Sequence, residues 1–533
     1  MSPTPRYLSF VPAVVAVILA ALAIGAEIPE EHSRYSRDIR SALGYLHYDE
    51  FPLHAGWNIY LPRDEAEQLG LHRAFWRTVH YEEHPESQVR LKGGTNDAGR
   101  AWLLGRLFQV RGGPMPYLLF WIALLVAVPL LGWLNWELYT AGHAVAAAVL
   151  LPLLALSSYV TTTLSTSYSA TGFYLIGILL LITVAVFCVL RRRLTINSWA
   201  LRVIAAGGFF ALCMMCRNGT LALMPGFVLA FWWATADEQL LASVRSTRWF
   251  RQCNRYGLLL LTLLLFAFPT ILFRGYMKSV MHSAAAQFDL PTGPTTGHPV
   301  WHNVWCGLGD FDDTGVHVWD DLNAATAVVE AGGPDLRSII RTSASKEYEV
   351  FIRKMFLDKI TDRPAWFAEI LLKRVAATVF QTKTLPHTMI GGRAMLVAKD
   401  DGGAIDSYYR LTAHGDVFEI GGRRIELSLL PFILATIALL VAGIRQRRAA
   451  VDAEAALFPQ SCIVGCIAIG TIGVPVLITT AAGIETQAFC LVYFVAAAFG
   501  LEWCIWRYRA GRAVTDRPAQ DDDPPNEEPA SIM

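Results

Sequence analysis

The feature that most constrains this chain is a series of about ten apolar runs, each near the ~20 residues that a helix needs to cross a hydrocarbon core. The runs fall at roughly 8–26, 115–133, 141–160, 172–190, 199–216, 219–236, 256–273, 427–444, 461–482 and 487–506. Lipid offers no hydrogen-bond partner to the backbone. A spanning segment must therefore pair its own N–H and C=O groups, which a helix does. The expected fold class is α: a polytopic helical membrane protein with about ten transmembrane helices. Composition agrees, since 54% of residues are hydrophobic and only 17% are charged, an unusual balance for a soluble domain. The formal net charge is zero, so a nucleic-acid partner has no electrostatic basis.

Orientation follows from basic residues in the short connectors. Arg191, Arg192 and Arg193 follow the fourth run, Arg245, Arg248, Arg251 and Arg255 separate the sixth from the seventh, and Arg445, Arg447 and Arg448 follow the eighth. Ten runs put all these clusters on one side together with both termini, and that side is expected to be cytoplasmic. The domain organisation is then a first transmembrane helix over 1–26, an external loop over 27–114, and helices two to seven over 115–273. A large external loop follows over 274–426, then helices eight to ten over 427–506 and a cytoplasmic tail over 507–533. The first run reads as an uncleaved anchor rather than a signal peptide, and either reading leaves the first loop outside. The tail is rich in Asp, Glu and Pro and is expected to be disordered. Only Cys306 lies in a long polar loop, so no disulfide is expected there. Cys213 and Cys216 have CxxC spacing but sit in an apolar run, where they read as small apolar filler.

A transporter keeps polar groups inside its helices. Here the runs are nearly free of charge, and ionisable and aromatic residues crowd the external loops. That distribution points to chemistry at the outer boundary of the membrane. In the first loop, Asp49 and Glu50 follow a helical-looking stretch, and Asp97 stands where a new helix begins, with Trp102, Leu103, Leu107 and Phe108 at helical spacing. Asp97 also reads as a simple helix cap, and Asp49–Glu50 as a solvated turn. In the second loop, His298, Trp301, His302, Asp310 and Asp312 lie in one dense segment. Aromatic faces beside carboxylates suit sugar rings; a folded loop with a tryptophan core is the plainer reading. His298, His302 and an aspartate match no standard zinc spacing, so no metal site is assigned, though a divalent metal ion is compatible with the chemistry. The spacing predicts an amphipathic helix over 346–360, a break at Asp362-Arg363-Pro364, and a second helix opened by Pro364. Arg374 is expected near the lipid surface, within reach of a phosphate. Arg217 ends the fifth run at the outer face and is placed for the same ligand, or for snorkelling.

The layout resembles the GT-C superfamily of polyprenyl-phosphate-dependent glycosyltransferases, in the bacterial branch of protein mannosyltransferases and aminoarabinose transferases. The likeness rests on a first span followed by an acidic external loop and on Arg217-Asn218-Gly219-Thr220-Leu221-Ala222-Leu223-Met224-Pro225. It rests also on Phe356 to Pro364 leading to Lys373-Arg374. The acidic motif comes later after the first span here than in that family. The resemblance implies a multi-pass protein of the bacterial inner membrane with two large periplasmic loops. It implies a polyprenyl-phosphate sugar as donor, a glycan, lipid or protein acceptor, and inversion at the anomeric carbon. Asp49, Glu50 or Asp97 would be the base. Arg217 and Arg374 would hold the phosphate, and His298, Trp301, His302, Asp310 and Asp312 would meet sugar or acceptor. A polysaccharide polymerase or ligase, and a non-catalytic transport or assembly subunit, are the competing readings.

Overall fold

The computed structural model describes residues 58–62, 82–83, 88–92, 118–156, 171–190, 195–247, 250–287, 300–310, 321–334, 345–380, 417–420, 423–426, 430–449, 457–478 and 488–515. It also describes the helical positions Val14, Gly99, Leu103, Arg106, Leu107, Val110 and Val160. The membrane-length helices are α1 (Leu118–Thr140), α3 (Thr171–Leu190), α4 (Ile196–Cys216), α7 (Arg255–Gln287), α13 (Phe458–Leu477) and α14 (Cys490–Thr515). Among the described residues, 6 helices are long and apolar enough to cross a membrane, or up to 7 if a bent pair is one span. The protein is therefore a helical membrane protein, with fewer established spans than the ten apolar runs suggest.

The shortfall has specific causes. The run at 8–26 lies almost wholly outside the described residues. The runs at 141–160 and 427–444 form α2 (Ala144–Leu156) and α12 (Leu430–Ala449), whose apolar parts are short. The run at 219–236 breaks into a 3-10 turn (Asn218–Leu223) and α5 (Met224–Ala234), with Pro225 in its first turn, where the missing N–H costs nothing. A further helix, α6 (Glu238–Arg245), bends by 79° from that pair. At the other extreme, α14 continues to Thr515, so the segment 507–515 is helix rather than the expected disordered tail. Its turns past the span still gain backbone hydrogen bonds, and Arg507 stacks over the Trp503 ring of the same helix.

Among the described residues, five short strands accompany the helices. Strands β1 (Asn58–Pro62), β2 (Glu82–Glu83) and β3 (Gln88–Lys92) form an antiparallel sheet in the order β1-β3-β2, with Asn58 opposite Lys92. Strands β4 (Val417–Ile420) and β5 (Arg423–Glu426) pair as a hairpin, Ile420 opposite Arg423. The two residues between them are Gly421 and Gly422, a turn dipeptide flanked by alternating residues.

The bundle is organised around α3, whose side chains are almost all buried. It packs along α1, α4, α5 and α13. In lipid, helices gain little by hiding apolar surface, so close backbone approach and dispersion carry association. Glycines supply that approach. A Cβ on Gly226 of α5 would lie 2.5 Å from the Cys466 carbonyl oxygen of α13 and 2.9 Å from Leu181 of α3. A Cβ on Gly177 of α3 would lie 2.7 Å from Thr220 in the 3-10 turn. Gly207 of α4 is pressed in the same way against the Phe266 carbonyl of α7. Around that crossing, the Phe266 ring lies 5.0 Å from Phe210, 5.0 Å from Phe227 and 5.2 Å from Phe231.

The helix interiors are not as free of charge as the runs imply. Helix α1 continues past Trp133, so Glu137 lies inside a span, 1% exposed. Arg202 of α4 donates to its carboxylate at 2.9 Å, and the Trp133 indole donates to the same oxygen at 2.9 Å. Arg202 also donates to the Ser198 carbonyl and hydroxyl. The pair ties α1 to α4 at the end of the bundle where α4 begins. At the same end, the α1 terminus folds back through Gly142, whose φ of 90° closes a Schellman turn: His143 N–H bonds the Leu138 carbonyl and Gly142 N–H the Tyr139 carbonyl. His143 thereby meets Glu502 of α14 at 2.6 Å, and Glu502 accepts from the Val145 and Ala146 N–H groups at the start of α2.

Two stability outcomes follow. Gly226→Ala is expected to lower the thermal midpoint of the purified protein in detergent, by about 1–3 kcal/mol of overpacking. Gly465→Ala, at a position with nothing within 4 Å, should leave the midpoint unchanged or raise it. For the buried ion pair, Glu137→Gln and Arg202→Gln should each destabilise by roughly 3 kcal/mol. The double variant should lose much less than the sum, and additive losses would show that the two side chains act independently.

Candidate functional site

At the end of the bundle opposite Glu137, a small helical layer sits on the end of α13. Its elements are α8 (Val300–Gly307), α9 (Asp321–Glu330), α10 (Ser345–Asp362) and α11 (Pro364–Phe380). The α10–α11 pair is as the sequence predicts, with the break at Arg363 and Pro364 as the first helical residue. These helices share their own core: Trp305, Cys306, Leu308, Ala324, Val328, Tyr348, Ile352, Phe356 and Ile370. The layer is thus a folded unit rather than a loop with scattered side chains.

Helix α8 carries the His302, Trp301 and Trp305 part of the dense aromatic and polar segment. Its first N–H groups have no partner within the helix. The Glu349 carboxylate of α10 supplies one, accepting from Trp301 N–H at 3.1 Å and His302 N–H at 3.2 Å. A negative charge there also complements the helix dipole. On the inner face, His302 and Cys306 stand one turn apart. The His302 Nδ1 lies 2.8 Å from the Tyr348 hydroxyl and its Nε2 lies 3.7 Å from the Cys306 sulfur. His302 is only 3% exposed. Trp301, half-buried, packs at the edge of the same core, 5.8 Å from the Phe356 ring with the Arg353 guanidinium 5.3 Å from its own ring.

Arg374 is not at the lipid surface. It is 1% exposed and reaches from α11 into the junction between the layer and the bundle. Its Nη2 donates to the Gly307 carbonyl at the end of α8, and its Nη1 donates to the Val476 carbonyl at the end of α13 at 3.0 Å. The ends of two helices leave carbonyls without intrahelical donors, and a guanidinium spans both. Gly307 makes the junction possible, because any Cβ there would collide with the Ile478 carbonyl. A second tie is the Tyr493 hydroxyl of α14, which donates to the Val379 carbonyl of α11.

Arg217 caps the C-terminus of α4, as the sequence predicts, with its N–H bonded to the Cys213 carbonyl at 2.8 Å. Its own carbonyl accepts from Thr220 N–H at 3.1 Å, starting the 3-10 turn. That turn leans on α13, where a Cβ on Gly473 would be 3.7 Å from the Ala222 carbonyl. Arg217 and Arg374 are therefore brought to the same end of the bundle by α13. Gly99, two residues after Asp97 in the chain, is buried against the side chain and carbonyl of Met215. Leu103, one turn further along that helical stretch, packs against the main core.

The remaining sequence-predicted positions divide plainly. Asp49, Glu50, Asp97, His298 and Asp312 lie outside the described residues. Asp310 ends a short 3-10 turn, Leu308–Asp310, and its side chain is outside the described set. Among the described residues no three His, Cys, Asp or Glu side chains form a metal-binding group. Sequence reasoning missed Glu349, Tyr348 and Gly307. The i, i+4 pairing of His302 with Cys306 was readable once 300–307 is taken as helix, whereas Glu349 and Gly307 act across long separations that no local pattern marks. Comparison of the chain with protein-family models, with curated proteins and with solved structures finds no match.

If Arg374 ties the layer to the bundle, removing it strands two buried carbonyls. Arg374→Met is expected to cost a few kcal/mol of stability, with Arg374→Lys restoring only part, since an ammonium cannot span both acceptors. Thiol labelling of the buried Cys306 should rise in Arg374→Met below its unfolding temperature. Unchanged labelling would show that the layer stays seated without the arginine.

Proposed function

We propose that this chain is a membrane glycosyltransferase. It moves a sugar from a polyprenyl-phosphate donor to a glycan, lipid or protein acceptor at the outer face of a bacterial plasma membrane, with both termini in the cytoplasm. The observation that supports this best is the seating of Gly99 on Met215. It ties the chain just after Asp97 to the helix end that carries Arg217. An acid and a cation at one membrane boundary are the two groups this chemistry needs.

In the reaction, the acceptor hydroxyl attacks the anomeric carbon from the face opposite the phosphate. The new C–O bond forms as the bond from the anomeric carbon to the phosphate oxygen breaks. The Asp97 carboxylate takes the hydroxyl proton, and polyprenyl phosphate leaves with the bonding electrons. A positioned general base contributes about 10²–10⁴ in rate. Arg217 offsets the charge that develops on the departing phosphate, a type of stabilisation worth roughly 10²–10³ per group. Trp301, half-buried at the rim of the helical layer with Arg353 over its ring, offers a flat face to a sugar. In this reading His302 and Arg374, both buried, are positioning residues that hold α8 and the layer in place. A polymerase or ligase built on paired arginines and a histidine would need both in contact with substrate, and their burial weighs against it.

The test is transfer of radiolabelled sugar from a panel of polyprenyl-phosphate sugars by the purified protein. Asp97→Asn should reduce label transfer about 100-fold or more, and Arg217→Gln about tenfold or more, with Asp49→Asn close to wild type. Loss in Asp49→Asn with Asp97→Asn active would move the base to Asp49. No transfer from any donor by intact, folded protein would overturn the reading.

A further inference from the structure

We propose that the bend after α5 is a binding site for the headgroup of an anionic phospholipid, in the leaflet opposite the helical layer. This inference is independent of the glycosyltransferase reading. Helix α6 turns 79° from the preceding span, so if that span crosses the bilayer, α6 lies close to the membrane plane. Leu240 and Val244, one turn apart, are its buried face, and the Ile196 N–H at the start of α4 donates to Ser243 at 3.3 Å. Helix α6 therefore belongs to the end of the bundle that carries Glu137, away from Arg217.

The residues from α6 into α7 combine fixed cations with interfacial aromatics. Arg245 closes α6 and its Nε donates to the Cys253 carbonyl at 2.7 Å, so its stem is held while the residue stays exposed. Arg251 is exposed. Arg255 opens α7, lies 4.0 Å from the Trp232 ring, and donates to the Thr235 hydroxyl at 3.2 Å and the Trp232 carbonyl at 3.1 Å. The Tyr256 ring lies 5.6 Å from the Trp232 ring in a tilted contact and is 69% exposed. Among the described residues none of these three arginines has a carboxylate within ion-pair distance. Of the nearby acids, Asp237 accepts from the Gln239 and Leu240 N–H groups as the cap of α6, and Glu238 sits at the far end of that helix from Arg245.

The charge is thus left for an anion, and the surroundings choose a lipid over a soluble one. Directly below Tyr256, α7 exposes Leu260 and Leu264 along one face, a surface for acyl chains. Phosphate oxygens would meet Arg251 and Arg245, and glycerol and tails would run down α7. Arg445, Arg507 and Arg509 are exposed at the same end of the bundle and extend the positive field of that leaflet.

Native mass spectrometry of the purified protein, equilibrated with equal amounts of phosphatidylglycerol and phosphatidylcholine, reads the preference. Phosphatidylglycerol should be retained several-fold over phosphatidylcholine. Arg245→Gln with Arg251→Gln should cut that ratio by about fivefold per arginine. Arg251→Gln alone, at an exposed position, keeps the test open where the double variant does not fold, and it too should lower the ratio. Lys354→Gln with Arg363→Gln, in the helical layer, should not change it. Equal retention of the two lipids sinks the proposal. So does the same loss in the Lys354/Arg363 control, or displacement of the lipid by an equal concentration of glycerol 3-phosphate.

Discussion

The close approach of α3, α5 and α13 through Gly226 and Gly470 underlies most of the remaining architecture. Lipid removes the solvent penalty that drives helices together in water, so contact distance becomes the main variable. Where a glycine replaces a side chain, backbones meet, and the dispersion of every neighbouring pair grows with it. Helix α13 is held by this contact, and its far end then carries the Val476 and Ile478 carbonyls to fixed positions. The helical layer is seated on those carbonyls through Arg374 and Gly307.

The two ends of the bundle use ionisable groups in different ways. At one end, Glu137 with Arg202 and Glu502 with His143 join helices that are distant in sequence. Both glutamates also accept hydrogen bonds beyond their ion pair, which a buried carboxylate requires. At the other end, the two Nη groups of Arg374 donate to the main-chain carbonyls of Val476 and Gly307, which joins two helix ends. His302 and Arg374, read from the sequence as ligands, are both buried, His302 beside Tyr348 and Arg374 against the carbonyls of Gly307 and Val476.

Much of the membrane architecture was legible in the chain. Apolar runs marked nearly every long helix, Pro364 marked the start of α11, and Arg217 marked the end of α4. The misreadings share one cause, the use of local pattern where a distant partner decides. The run ending at Trp133 underestimates α1, because Glu137 is tolerated in the span only when Arg202 reaches it from α4. Arg374 sits on an amphipathic helix, and the pattern cannot tell whether its outward face meets lipid or another domain. The Gly421-Gly422 dipeptide between β4 and β5 is a local hairpin signal in the sequence.

By itself, then, the sequence determined that this is a helical membrane protein, where most of its long apolar helices lie, and where its connector arginines cluster, since these depend on hydropathy and connector charge over short stretches. Only the tertiary structure decided which polar groups are spent on holding helices together and which remain at a boundary. That outcome depends on contacts between residues hundreds of positions apart, such as His143 with Glu502 and Arg374 with Val476. Burial and pairing of a charge are properties of what surrounds it, and a linear pattern does not contain its surroundings.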